Sequence, residues 1–166
     1  MTDPNTLHDT LLQLAAALRQ RGWMMATAES CTGGMIAAAC TDLPGSSEWF
    51  DRGFVTYSNP AKTEMLGVPS TLIETHGAVS EAVVRTMAEH AVQRSNARVA
   101  VAVSGVAGPG GGSADKPIGT VWIAWHVDGA THTQRMQFAG DRSAVRSQTV
   151  AVAQTQLLHW LRTANA

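Results

Sequence analysis

Ser30, Lys62 and Tyr57 are the residues of this sequence whose types suit one another for acyl transfer. A serine hydroxyl is a weak nucleophile at its free pKa and needs a base beside it. Six histidines are present, but none stands in a motif with a carboxylate. His8, His90 and His159 fall in helical stretches, and His126 and His132 flank a hairpin; only His76, beside Gly77, has a loop position suited to a site. Lys62 is the other candidate base, about three positions into a helix, where the macrodipole disfavours an ammonium. Desolvation pushes the same way. A lysine drawn down from about 10.4 toward neutrality can take a proton from a serine. Tyr57, the single tyrosine, ends the strand before that helix, so its hydroxyl can relay a proton or orient Lys62. Plainer uses stand beside these: a solvated surface lysine, a tyrosine packed in the core.

The stretch that must present Ser30 is Thr27-Ala28-Glu29-Ser30-Cys31-Thr32-Gly33-Gly34. Trp23-Met24-Met25-Ala26 before it reads as a buried strand, and Met35-Ile36-Ala37-Ala38-Ala39 after it as helix, so the octet is a strand-to-helix turn. In an open α/β sheet such turns lie at the carboxyl ends of strands, where ligands bind. Backbone amides at Cys31, Thr32, Gly33 and Gly34 can then face an anion. Alternatively Ser30 or Thr32 simply caps the helix. Cys31 is a competing nucleophile, with His76 as its base. A second loop, Ser104-Gly105-Val106-Ala107-Gly108-Pro109-Gly110-Gly111-Gly112-Ser113, follows an apolar run at Val99–Val103. Its Ser104, Gly105, Ala107, Gly108, Gly111 and Gly112 let the main chain approach a ligand closely, unless the loop is merely flexible surface. Arg142 and Arg146, one turn apart at the start of the last helix, can bind a phosphate or stand as exposed charges.

The elements that position these residues follow from pattern. Leu7, Leu11, Leu14 and Leu18 predict a helix over about residues 5–20. A helix from Thr32 to Asp42, with Cys40 in the core, precedes the breaker Leu43-Pro44-Gly45-Ser46. Gly53–Ser58 reads as a strand, Asn59-Pro60 as a helix start with Asn59 as cap, Gly67 as its stop, and Pro69–Glu74 as a short helical turn. Ser80 caps a long helix. Val99–Val103 is a strand covered on both faces. Ile118–Val127 and Thr131–Phe138 form a hairpin through Asp128-Gly129, with Trp122 and Trp125 in the core or at an interface. Gly140-Asp141-Arg142 opens a helix to about Arg162. The expectation is one α/β domain over residues 1–166, with helices on both sides of a mixed, mostly parallel sheet.

Composition narrows the classes. A chain of 166 residues, 45% hydrophobic and 15% charged, can bury one good core. A formal net charge of −1 gives no footprint for nucleic acid or an anionic membrane. Met1–Asn5 lacks the features of a signal peptide, and no apolar run is long enough to span a bilayer. Two cysteines fit reduced thiols, so a cytoplasmic protein is expected. No zinc or EF-hand spacing, P-loop or dinucleotide fingerprint occurs, and neither metal nor cofactor is expected.

The blocks from Thr27 to Gly34, Gly53 to Asn59 with Lys62, and His76 to Glu81 resemble the CinA C-terminal domain family. So do Ser104–Pro109 with Gly111–Ser113, Lys116-Pro117 with Gly119-Thr120-Val121, and Gly140-Asp141-Arg142. They fall in the family's order and cover nearly the whole chain. The resemblance implies a three-layer α/β/α fold, a homo-oligomer, and a metal-independent amidohydrolase. Its substrate would be nicotinamide mononucleotide, with Ser30 as nucleophile, Lys62 as base and Tyr57 as a supporting hydroxyl. Pro60 and Gly110 depart from the family's pattern and touch no catalytic position; the additional N-terminal domain of some members is absent from this sequence.

Overall fold

The computed structural model describes residues 4–164; Met1–Asp3, part of the segment read for a leader, lie outside them. Helix α1 (Pro4–Arg21) leads into β1 (Met25–Glu29), α2 (Met35–Thr41), a 3-10 turn at Ser46–Glu48 and β2 (Phe50–Val55). Then come α3 (Asn59–Leu66), α4 (Ser70–His76), α5 (Glu81–Gln93), β3 (Val99–Gly105), β4 (Thr120–Val127), β5 (Ala130–Gln137) and α6 (Arg142–Thr163).

The sheet order is β2-β1-β3-β4-β5. β1 pairs in parallel with β2 and β3, and β4 runs antiparallel to both β3 and β5. Only β4 is therefore reversed, and the sheet is mixed with most strands pointing one way. Side chains alternate between the faces of a strand, and here the alternation sorts them by size. Val99, Val101, Val103, Ile123 and Trp125 meet α1, α2 and α6 on one side. Ala26, Ala28, Ala100, Ala102 and Ala124 meet α3, α4 and α5 on the other. Every residue from Val99 to Val103 is fully buried, as expected for a strand covered twice. The result is the three-layer α/β/α sandwich.

Several boundaries differ from the sequence expectation. β1 runs to Glu29 rather than stopping at Ala26, because Thr27, Ala28 and Glu29 find ladder partners on both β2 and β3. Helix α2 starts at Met35 rather than Thr32, since Gly33 and Gly34 stand at φ of 59° and 103°, outside the helical range. β2 ends at Val55, and Thr56–Ser58 leave the sheet. Ser58, not Asn59, caps α3: its hydroxyl accepts from Ala61 N at 3.1 Å, one residue earlier than expected. Ser80 and Asp141 cap α5 and α6 through their side-chain oxygens. Asp128 and Gly129, both at positive φ, make the β4–β5 turn. Trp125 is buried and donates from Nε1 to Ala153 O at 2.8 Å, tying the sheet to α6. Cys40 is in the core.

Candidate active site

Ser30 follows β1 directly, at the carboxyl ends of the parallel strands. Its amide donates to Val103 O on β3 at 3.1 Å, which fixes its main chain against the central strand. Lys62 stands in the first turns of α3, and the Ser58 cap and Pro60 decide where that helix begins. The two side chains meet: Lys62 Nζ donates to Ser30 Oγ at 3.1 Å. Nζ also donates to Thr56 O at 3.0 Å and Tyr57 O at 3.3 Å. Those carbonyls are free to do so because the chain has left the sheet at Val55.

Lys62 is 1% exposed, and Ser30 8%. Lysine is almost never buried so fully without an ionic partner, and the groups its Nζ touches are neutral oxygens. Burial pulls its pKa below the usual lysine value, with the nearby Cys31 thiol pushing weakly the other way. The arrangement can hold a neutral amine on a serine hydroxyl, which is the chemistry of a general base and its nucleophile.

Tyr57 reaches this pair through its main chain. Its carbonyl oxygen accepts from Lys62 and, at 3.5 Å, from Ser30 Oγ. Its side chain is 60% exposed, and its hydroxyl accepts from Arg142 Nη2 at 3.1 Å. Arg142 also donates from Nη1 to Gly108 O at 2.9 Å, so its guanidinium bridges the β2–α3 connection and the glycine loop.

Ser30, Cys31, Tyr57, Lys62, Ser104, Gly105, Ala107 and Arg142 line one cleft of about 250 Å³. Gly108 and Arg146 line an adjoining hollow of about 610 Å³, which shares Ala107 and Arg142 with the cleft. Thr32, Gly33, Gly34, Gly111 and Gly112 line neither. Thr32 is buried with its hydroxyl on Glu29, and Gly33 donates its amide to Ser30 O at 3.0 Å, closing the turn. Arg146 donates to the Cys31 and Thr32 carbonyls.

The alternative pair does not come together in the cleft. His76 ends α4 and lines a neighbouring hollow, which shares Val79 but not Cys31 with the cleft, beside Lys116, whose Nζ donates to His76 O at 2.7 Å. Burial pushes the Cys31 thiol up to about 11, the opposite of what a reactive thiolate needs. Neither Ser30 nor Thr32 caps α2; its cap position is Gly34, with no side chain to offer.

Sequence reasoning missed Asn59, Ala78 and Val79 in the cleft wall, and above all Glu29. The Glu29 carboxylate accepts from the Ile36 and Ala37 amides of α2 at 2.9 and 3.0 Å. An acidic residue just ahead of a helix start, where a carboxylate meets amides without intrahelical partners, is the available signal. Among the described residues, no group of three or more His, Cys, Asp or Glu could hold a metal ion, and no helix is long and apolar enough to cross a membrane.

Residues 8–161 match the family model of the CinA C-terminal domain. The chain belongs to that family. It is 53% identical over 158 residues to the nicotinamide-nucleotide amidohydrolase PncC of Enterobacter agglomerans, covering 94% of this chain and 96% of the relative. The protein of the same name from Pseudomonas putida is 54% identical over 156 residues, with 94% and 96% covered. The crystal structure of competence damage-inducible protein A from Klebsiella pneumoniae superimposes with a TM-score of 0.92 at 42% identity, covering 96% of this chain and 99% of the other. The α/β architecture is thus that of the CinA superfamily.

Proposed function

We propose that this protein hydrolyses the carboxamide of nicotinamide mononucleotide to nicotinate mononucleotide and ammonia, through an acyl-enzyme on Ser30. The observation that carries this is the buried, neutral-environment contact of 3.1 Å between Lys62 Nζ and Ser30 Oγ. Relatives named nicotinamide-nucleotide amidohydrolase support the choice of substrate.

In this mechanism neutral Lys62 takes the Ser30 proton as Oγ bonds to the carboxamide carbon. The Cys31 amide or amides of the Ser104–Ser113 loop face the oxyanion, since the Ser30 and Gly33 amides already donate to Val103 O and Ser30 O. The tetrahedral intermediate collapses when protonated Lys62 gives its proton to the amide nitrogen, which leaves as ammonia. Water then attacks the Ser30 ester; Lys62 takes its proton and returns one to Oγ as nicotinate mononucleotide leaves. The Thr56 and Tyr57 carbonyls hold the lysine nitrogen in line throughout. The ring sits in the 250 Å³ cleft and the 5′-phosphate extends into the 610 Å³ hollow, where Arg142 is its cation. No cofactor enters this scheme.

The test is ammonia release from nicotinamide mononucleotide with EDTA present, comparing wild type with Ser30→Ala and Lys62→Ala. Turnover in wild type and its loss in both variants supports the proposal. Tight nucleotide binding by folded wild type without ammonia release would identify a binding domain instead.

A further inference from the structure

Two side chains outside the Ser30–Lys62 pair hold the Ser30–Gly34 turn. Glu29 is the last residue of β1 and 1% exposed. Its Oε1 accepts from Thr32 Oγ1 at 2.6 Å and Ile36 N at 2.9 Å, and its Oε2 accepts from Ala37 N at 3.0 Å. A buried carboxylate is costly unless its oxygens find donors. Here they find the amides that Gly34, the cap position of α2, leaves unserved. The strand end, the turn and the helix start are thereby tied into one unit around the residue that precedes Ser30.

Arg146 comes from α6, more than a hundred residues along the chain. Its Nε donates to Cys31 O at 3.0 Å and its Nη2 to Thr32 O at 3.1 Å. Two consecutive carbonyls are held by one rigid planar fork, a geometry lysine cannot copy. In a trans peptide the N–H points opposite to the C=O of the same plane. Pinning the Cys31 and Thr32 carbonyls toward α6 therefore also sets the directions of the Thr32 and Gly33 amides. Gly33 sits closely enough that an added Cβ would lie 3.5 Å from Arg146 Nη2.

We propose that Glu29 and Arg146 are positioning residues that set the Ser30 hydroxyl and the amides beside it, and that Arg146 is spent on this task rather than on substrate phosphate. The kinetic part rests on the amide-hydrolysis reading above; the geometric part does not. A fluorophosphonate probe separates them, because it reports the nucleophile without an amide substrate. Ser30 Oγ bonds to phosphorus, fluoride leaves, and Lys62 takes the hydroxyl proton.

The expected result is that folded Glu29→Gln and Arg146→Lys label about 10- to 100-fold more slowly than wild type, the scale of a small misplacement of a reacting group. For nicotinamide mononucleotide, kcat falls in step with labelling while KM stays within about twofold. Arg146→Lys keeps the charge and guards against a Glu29 variant that fails to fold. Labelling at the wild-type rate in folded Arg146→Lys overturns the proposal. So does an Arg146→Lys effect confined to KM that vanishes with the phosphate-free riboside, which would make Arg146 a phosphate ligand. Absence of labelling in wild type also overturns it. If wild type labels but releases no ammonia, the amidase reading fails and the labelling comparison still decides this one.

Discussion

Lys62 Nζ and Ser30 Oγ stand 3.1 Å apart although 32 positions separate them in the chain. One arrives at the end of the second strand from the sheet edge, the other in the opening turns of α3, and the intervening chain builds β2 to bring them together. The pair is therefore a product of the parallel β1–β2 unit.

Loss of either partner should remove catalysis while sparing the fold. Ser30→Ala and Lys62→Met are expected to lower kcat/KM by on the order of 10⁴-fold or more, with non-additive loss in the double variant. Ammonia release together with unchanged circular dichroism checks this.

The pH profile should carry the mark of Lys62. The proposed mechanism needs its neutral form, and burial holds its pKa below the ordinary lysine value. Activity should rise with pH along an acid limb whose midpoint lies below about 10.4. A kcat profile with no such limb would remove Lys62 from the role of base.

The same burial has a stability consequence of definite sign. With its pKa depressed in the folded state, Lys62 binds fewer protons folded than unfolded between its two pKa values, so stability rises with pH across that window. The penalty is full below the folded value and gone above about 10.4. Lys62→Met should accordingly gain most over wild type near neutral pH, with the gap narrowing as pH rises. Urea denaturation at several pH values measures it.

Tyr57 and Arg142 should act on binding more than on chemistry. The Tyr57 carbonyl, which Tyr57→Phe keeps, touches Lys62, whereas its hydroxyl touches Arg142. Tyr57→Phe is expected to raise KM about 2- to 10-fold with kcat little changed, the scale of one hydrogen bond. Arg142→Ala should raise KM about 10- to 100-fold, and lose that effect with the riboside. A large fall in kcat for Tyr57→Phe would restore the hydroxyl to proton transfer.

Gly105 is where the glycine loop leaves β3, and a Cβ there would come within 2.6 Å of Val121 Cγ2 and 2.9 Å of Thr120 O. Val121 is held in the β3–β4 ladder, and Thr120 O is held by the Val106 amide at 2.8 Å. Gly105→Ala should cost about 1–3 kcal/mol by overpacking, read as a lowered Tm.

Much of this was legible in the sequence because local chemistry and long-range packing agreed. The apolar run Val99–Val103 and the Asp128-Gly129 turn each name their structure outright, and Ser30, Lys62 and Tyr57 stand out together by residue type. Other features were not legible, because partners distant in sequence supply their reasons. Thr27-Ala28-Glu29 looks like polar turn material, and only pairing to β2 and β3, with α2 amides for the carboxylate, makes it strand. The division of Tyr57 between a carbonyl facing inward and a hydroxyl facing outward depends on where β2 stops, which residue type alone does not encode. Arg146 reads like a free cation until α6 is laid across the Ser30 turn.

The alanine face of the sheet has a consequence for substrate range. Methyl groups at Ala26, Ala28, Ala100, Ala102 and Ala124 let α5 lie close to the strands, and the connection that enters α5 carries Ala78 and Val79 in the cleft wall. The stand-off of that helix thus acts as a calliper on the pocket mouth. Bulkier side chains beneath it would open the jaws without altering a single residue that lines the cleft, so its width can be tuned from a layer hidden from solvent.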